Sequence, residues 1–338
     1  FGDALLALQR RYAFDGILVN LPGRDPRWRD WISTVARQGA DTLVRWVNGA
    51  VTTVPPDDNP HVRTAGLGAS HHRTFAGVDP DDLFYIEPHG PFGATLVRDG
   101  GIPSWQFDTL RYVRQRAPGV SLHGEVFSPF SQWLEWLEHA DALMALVEDP
   151  AKVAACLARL ARGAAALALG QAAEGADAIL MSSAFAGAGF ISPRQYRTFV
   201  LPFERAVVDA VKRAHPDLPV YTHTCGAIGD RLELMEETGT DGIDTLDPPP
   251  LGTVELSDAK ARLGQRRFIK GNLDPVTTLL QGSADACFAA ALERLAAAKP
   301  HGGYILSSAC SVAPHTPPEN ILQLRKATEA AGWYDGGR

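Results

Sequence analysis

The segment YTHTCG, Tyr221 to Gly226, carries a histidine and a cysteine two residues apart, His223 and Cys225, after the proline-containing apolar run DLPV. Residues two apart on a strand point to the same side, so this imidazole and this thiolate can chelate one ion. A second cysteine, Cys310, ends the run GYILSSAC. Zinc takes nitrogen and sulfur ligands in a tetrahedron, and catalytic sites supply three while leaving the fourth position open. His223, Cys225 and Cys310 are therefore the candidate ligands of a catalytic Zn2+. The competing reading of His223 and Cys225 alone is a hydrogen-bonded core histidine beside a small hydrophobe.

Other residues gather at the ends of apolar runs. Glu125, in HGEVF, is a candidate for the fourth metal position or for a general acid/base; the alternative is a carboxylate bonded only to backbone. Asp244 and Asp247, in GIDTLD, are candidates to orient His223 through its second nitrogen, as carboxylates beside metal-bound histidines do. Catalytic roles are thus assigned to Glu125 and Asp244. Asn20, Ser182 and Asn272 are candidates for cofactor contacts, although Asn272 and Asp274 in GNLDP also suit a turn, and Ser182 and Ser183 can simply make room. Cys156 and Cys287 sit in Ala-rich helical patterns and are expected to pack as small hydrophobes. The loop pair His71-His72 lacks strand geometry and is not expected to bind metal. Trp28, Trp31, Trp46 and Trp105 are expected to pack the early region rather than line a pocket.

The elements that must position these groups follow one grammar: a short apolar run, a Gly/Pro/Asp turn, then an amphipathic helix. Strands are predicted at 16–20, 120–127, 177–183, 219–225, 242–247, 267–272 and 303–310. Asp149-Pro150, Ser192-Pro193 and Thr316-Pro317 each put a capping side chain before a proline at the first helical position, and Thr316 to Glu319 fits a capping box. Strands alternating with helices imply a parallel sheet, and so long an unbroken series favours an α/β (β/α)8 TIM barrel. No GxGxxG follows any strand, which weakens a Rossmann fold. An eighth strand is expected upstream of Phe1 or within the insertion at about Asp41 to His89, which is predicted as a β-hairpin or lobe near the barrel mouth. In a barrel the strand ends converge on one mouth, so Cys310 can meet His223 and Cys225 there.

Composition sets the outer bounds. The chain has 338 residues, 45% hydrophobic and 21% charged, with net charge −7; that argues for one globular domain over 1–338 and against a nucleic-acid or polybasic membrane surface. No apolar run is seen that approaches the roughly 20 residues of a membrane span, the richest being AALALGQAA, so a soluble protein is expected. Four cysteines in so long a chain make no disulfide framework, and a cytoplasmic location is expected. The opening FGDALLALQRRYAFDG reads as the middle of a helix, so the start is expected to be truncated.

Three stretches, YTHTCGAIGDRLELMEETGTDGIDTLD, RFIKGNLDPVTTLL and GGYILSSACSVAPHTPPENILQL, resemble the uroporphyrinogen decarboxylase superfamily; GEVFSPFSQWLEW, DPAKVAACLARL and ISPRQYRTFVLPFERAVVDAVK extend the likeness over nearly the whole chain. The superfamily is a (β/α)8 barrel. Its decarboxylase branch has an aspartate near the end of the strand matching GILVNLPG, and a histidine after glycine where this chain has SACS; Asn20 and Cys310 stand there instead. The branch of zinc-dependent, corrinoid-linked methyltransferases carries His-x-Cys and a distant Cys as zinc ligands, matching His223, Cys225 and Cys310. Many of its members have an acidic pair where this chain has SSAFAGAG. The resemblance implies methyl transfer between a corrinoid (cobalamin) on a separate corrinoid protein and a small molecule, either a thiol acceptor or a methoxy or methylamine donor. A homodimer is among the assemblies it allows. A lyase acting on a carboxylic acid and a non-catalytic ligand-binding barrel are the competing classes.

Overall fold

The computed structural model describes residues 1–58, 60–63, 74–87, 95–98, 101–137, 139–264 and 266–334. His71-His72 lies outside them. Seven parallel strands, β1 (Gly16–Val19), β2 (Ser121–Phe127), β3 (Ala178–Ser182), β4 (Val220–Thr224), β5 (Gly242–Thr245), β6 (Phe268–Leu273) and β7 (Tyr304–Ser308), lie side by side in chain order. They correspond one to one with the seven predicted runs. Helices connect them, as parallel neighbours require, and the curled sheet is TIM-barrel-like.

Alternation along each strand sorts the side chains. On β2, Leu122, Gly124 and Val126 are buried beneath the helices, while His123, Glu125 and Phe127 take the other face. Register carries that second face around the barrel: His123 sits opposite Ala178, Leu180 opposite Tyr221, and Tyr221 opposite Gly242. Ala178, Leu180 and Tyr221 pack with Leu18 and Phe268 as an apolar floor. One layer higher the same strands present Ser182, His223, Asp244 and Lys270. Polar groups are thus stacked on a mainly apolar layer that also holds His123, 2.7 Å from Tyr221 Oη.

The 24-residue helix Pro150–Ala173 passes behind β2 and β3. Asp149 caps it by accepting from Lys152 N at 3.0 Å, as predicted. Its length and apolar composition would suffice to cross a membrane, which corrects the expectation that no such run exists; half of that stretch is buried inside the protein, with Val153, Leu157, Leu160 and Ala164 in the core. Ser192 forms a full capping box with Gln195. Thr316 does not cap. Pro318 disfavours a helical conformation at the residue before it, so Pro317 becomes the extended cap residue at φ −55°, ψ 125°, and the helix Pro318–Ala331 starts one residue later than expected, leaving Thr316 Oγ1 without a partner.

The insertion is larger than a hairpin and begins earlier than Asp41. Ile32–Gln38, Asp41–Trp46, Val51–Val54 and His61–Arg63 form a four-stranded antiparallel meander, and Tyr85–Glu87 pairs separately with Thr95–Val97. His315, in the loop after β7, lies 3.5 Å from Asp57, which brings one end of the meander beside the mouth. Trp46 is buried and donates to Thr52 Oγ1 at 2.8 Å. Trp28, Trp31 and Trp105 are half-buried, Trp28 between the guanidinium groups of Arg24 and Arg29. Among the described residues no strand lies between β7 and β1 and the insertion supplies none; the flanking helices nonetheless approach each other, with Arg325 donating to Ala13 O at 3.2 Å.

Gly163 shows how closely the long helix packs. A Cβ there would lie 1.9 Å from Phe84 O. Alanine is the better helix former by about 1 kcal/mol, yet Gly163→Ala is expected to destabilise the fold by about 1–3 kcal/mol because the overlap must be relieved. A urea midpoint higher than wild type would contradict this.

Candidate metal centre

β4 ends at Thr224 and the chain turns at once, with Gly226 at φ +77°, so Cys225 stands at the strand's lip. The loop after β3 presses on it: a Cβ on Gly187 would come 2.5 Å from Cys225 O. From the far side of the sheet, the loop leaving β7 delivers Cys310. The ligand atoms of His223, Cys225 and Cys310 all lie within 4.8 Å of one another, and His223 Nε2 is 3.3 Å from Cys225 Sγ. Tetrahedral zinc, with Zn–S of about 2.3 Å and Zn–N of about 2.1 Å, sets ligand edges of roughly 3.5–3.8 Å. The donor set and its spacing fit that ion.

His223 is held from behind. Its Nδ1 lies 3.2 Å from Asp244 Oδ2 and 2.6 Å from Thr245 Oγ1, and Lys270 Nζ donates to the other Asp244 oxygen at 2.7 Å. Lys270 and His223 overcome the burial that opposes ionisation of Asp244 and hold its carboxyl below the usual range. Burial also works against a charged His223, but Asp244 and Cys310 outweigh it and raise the imidazole to about 9. The two thiols split. Hydrogen bonds from Cys225 and His223 pull Cys310 down to about 4, and the bond to Cys310, with burial, pushes Cys225 up. A metal bound by such ligands would displace their protons.

Asp247 does not orient His223, contrary to expectation; its Oδ2 accepts from Gly226 N at 2.6 Å and so fixes the turn after Cys225. Glu125 is pushed up to about 7, first by burial and then by Glu87 and Asp244, against the opposing influence of His223 and of a hydrogen bond with Ser182. A carboxyl poised there can take or give a proton near neutrality. Asn20 is exposed at the end of β1, on the rim of a small cavity that also reaches Glu125. Asn272 is fully buried and donates to Leu246 O at 2.8 Å, and Asp274 caps Val276 and Thr277 at 2.7 and 2.8 Å, so both shape their turns. Cys156 and Cys287 are buried.

Three participants escaped the sequence. Lys270 sits mid-strand, on the same alternating face as His223 and Asp244, and that alternation was the signal for it. Thr245 has φ +79° and is followed by Leu246 at +48°, a conformation that costs a β-branched residue dearly; no sequence pattern announces it. Glu204 lies on the helix Leu201–Ala214, fully buried, where it accepts from Ser183 Oγ at 2.5 Å and Tyr196 Oη at 3.2 Å. It backs the strand-end serines from outside the barrel, and burial lifts it to about 7.

Residues 98–331 match the family model described as Uroporphyrinogen decarboxylase (URO-D). The chain belongs to the URO-D family. Among curated relatives of this URO-D chain, the uroporphyrinogen decarboxylase of Nostoc sp. (strain PCC 7120 / SAG 25.82 / UTEX 2576) is 35% identical over 173 residues, covering 51% of this chain and 46% of that protein. That of Legionella pneumophila (strain Lens) is 28% identical over 267 residues, 72% of each. The chain thus spans about half the length of the first of these. Solved structures with the same fold include a methyltransferase from Methanosarcina mazei, TM-score 0.67 at 17% identity, covering 97% of this chain and 84% of that one. A B12-independent methionine synthase from Shewanella sp. W3-18-1 in complex with selenomethionine follows, TM-score 0.53 at 12% identity, covering 97% and 86%.

Two outcomes are expected. Asp244→Asn should weaken zinc affinity about 10- to 100-fold, measured by competition with a chromophoric chelator; an unchanged affinity would remove Asp244 from the site. Glu204→Gln should lose less stability than wild type as pH rises. The raised carboxyl contributes stability fully present below its unfolded value near 4.5 and lost as pH rises through about 7, whereas glutamine does not titrate. Between pH 4.5 and 7.5 the variant should therefore gain on the order of 2–3 kcal/mol relative to wild type, and parallel thermal-stability curves would contradict that.

Proposed function

We propose that this URO-D chain is a zinc-dependent methyltransferase that moves a methyl group between a corrinoid on a separate protein and a thiol or a methoxy or methylamine substrate at the C-terminal face of the barrel. The observation that carries the reading is the convergence of His223, Cys225 and Cys310 on one point at that face. The fold shared with a methyltransferase supports it. When bound, zinc would supply the Lewis acidity that makes a thiol nucleophilic at neutral pH or polarises a leaving heteroatom.

The chain's own residues have definite tasks in this reading. Asp244 accepts from His223 Nδ1 and so leaves Nε2 free to face the two sulfurs. Lys270 keeps Asp244 ionised, which holds that orientation across the neutral pH range. Glu125 carries a carboxyl that exchanges protons near pH 7 and stands ready to receive the substrate's proton or to return it. Ser182 fixes that carboxyl by hydrogen bonding. Beneath them the floor of Leu180, Tyr221 and Phe268 excludes water from below. The reading also puts the protein in the cytoplasm, where a reducing poise keeps Cys225 and Cys310 as thiols.

A second reading, decarboxylation of a carboxylic acid, is favoured by the names of the curated relatives. The discriminating experiment pairs metal analysis with turnover. Wild type should purify with stoichiometric zinc and convert methylcobalamin in the presence of one of a panel of thiols, read from the cobalamin spectrum. Cys310→Ser should lose the metal and at least about a hundredfold in rate, beyond what losing an outer partner costs. Zinc-free protein that releases carbon dioxide from a porphyrinogen, with no methylated product, would establish the second reading instead.

A further inference from the structure

The meander begins with an edge strand. Ile32–Gln38 pairs on one side with Asp41–Trp46 and, among the described residues, with nothing on the other; six of its seven residues are exposed. The two strands join through the two-residue turn Gly39-Ala40, with Gly39 at φ +60°, so Gln38 and Asp41 face each other as the hydrogen-bonded pair that closes a hairpin of this kind. Alternation then turns the amide and carbonyl of Ala36 inward, towards Leu43, and those of Val35 and Arg37 outward. Outward groups in such a row are a template for one more strand.

Proteins guard exposed edges with lysine, proline, inward-pointing charge or bulges. Ile32–Gln38 holds no Lys, Pro, Asp or Glu. Its one charge, Arg37, bonds back to its own turn, donating to Ala40 O at 3.0 Å, and its one bulge, at Ser33, leaves Thr34 to Gln38 in regular register. A row of side chains also stops at this edge unfinished. Val62 lies opposite Thr52, Thr52 opposite Val44, and Val44 opposite Val35; Thr52 is buried, whereas Val35 at the end of the row is 61% exposed. Each cross-strand neighbour gained by a β-branched residue adds to the stability of such a row.

We propose that this edge is a homodimer interface, in which Ile32–Gln38 of two copies pair antiparallel about a two-fold axis through Val35. Val35 then faces Val35 of the second copy, each donating its amide to the other's carbonyl, and the two side-chain rows join into one across the axis. Arg37 comes opposite Ser33 of the second copy, the residue that the bulge leaves with nothing facing it on Asp41–Trp46. The two Arg37 are thereby about four residue steps, roughly 13 Å, apart, beyond the screening length of about 8 Å at physiological salt. A second copy is favoured over a peptide because its edge is already extended, so no chain must be ordered on binding. Pairing an edge with itself also closes, since it uses up both edges and stops at a dimer. One strand pair buries less than the roughly 1,600 Å² of a standard interface, so the dimer should be reversible, dissociating in the micromolar range. Nothing in this assignment depends on the metal centre or on methyl transfer.

Sedimentation velocity of the full chain, from nanomolar to high-micromolar concentration, should show a monomer–dimer equilibrium. Val35→Lys sets like charges on the axis and Val35→Pro removes the outward amide; each should raise the dissociation constant about tenfold or more, and Val35→Lys, at an exposed site, should keep the thermal midpoint of wild type. Val62→Lys, at the far end of the row, should dimerise as wild type does. Val35→Cys treated with oxidised glutathione should give an interchain disulfide, because Cα atoms facing each other across such a pair lie about 5.5 Å apart, whereas Gln38→Cys and wild type should not. A wild type that stays monomeric throughout, a dimer untouched by both Val35→Lys and Val35→Pro or weakened equally by Val62→Lys, or equal cross-linking through Gln38→Cys would overturn the assignment.

Discussion

The polar layer of this barrel hangs on the ion pair of Asp244 and Lys270. Placed alone in a barrel interior, either charge would be expensive, and an unpaired carboxylate would neutralise itself. Together, at 2.7 Å, they make a fixed dipole whose negative end meets His223. The pair is weak evidence for stability, since an apolar pair of equal volume often serves a fold as well. What it supplies is orientation: an imidazole whose second nitrogen is engaged has one nitrogen left to offer.

Around that axis the chain uses close backbone contacts to brace the loop that carries Cys225. Gly187 lets the loop after β3 touch the backbone of Cys225, and Asp247 ties the turn at Gly226 to the end of β5. Arg231 carries the same bracing deeper, donating to Ala186 O at 2.7 Å while fully buried. These contacts involve β3, β4 and β5, whereas Cys310 arrives by the loop leaving β7. The candidate metal centre is therefore a joint between two parts of the mouth, and the geometry of His223 and Cys225 is set mostly by one side of it.

How much of this the sequence disclosed follows from what each element buries. β3 and β4 are covered on both faces, so their apolar runs and the two-residue spacing of His223 and Cys225 were plain. Ile32–Gln38 was missed because six of its seven residues are exposed, leaving no alternation to read. Lys270 and Glu204 were passed over for different reasons. Lys270 lies within a predicted strand, where alternation gives its face but not its partner Asp244, and Glu204 lies in LPFERAVV, where helical periodicity does not show a carboxyl buried against Ser183 and Tyr196. Asp244 and Asp247 were both candidates to orient His223 because sequence spacing cannot tell which carboxylate of GIDTLD faces the ring once the backbone bends at Thr245 and Leu246.

That bend has an implication for anyone who would improve the protein. Left-handed backbone at a threonine stores about 1–3 kcal/mol, and any scheme that scores stability alone would choose glycine at position 245. The exchange would relax the backbone and remove the hydroxyl 2.6 Å from His223 Nδ1. Thermostability and the orientation of His223 therefore pull against each other at this residue, so a more robust variant selected here would be less well arranged for the proposed ion.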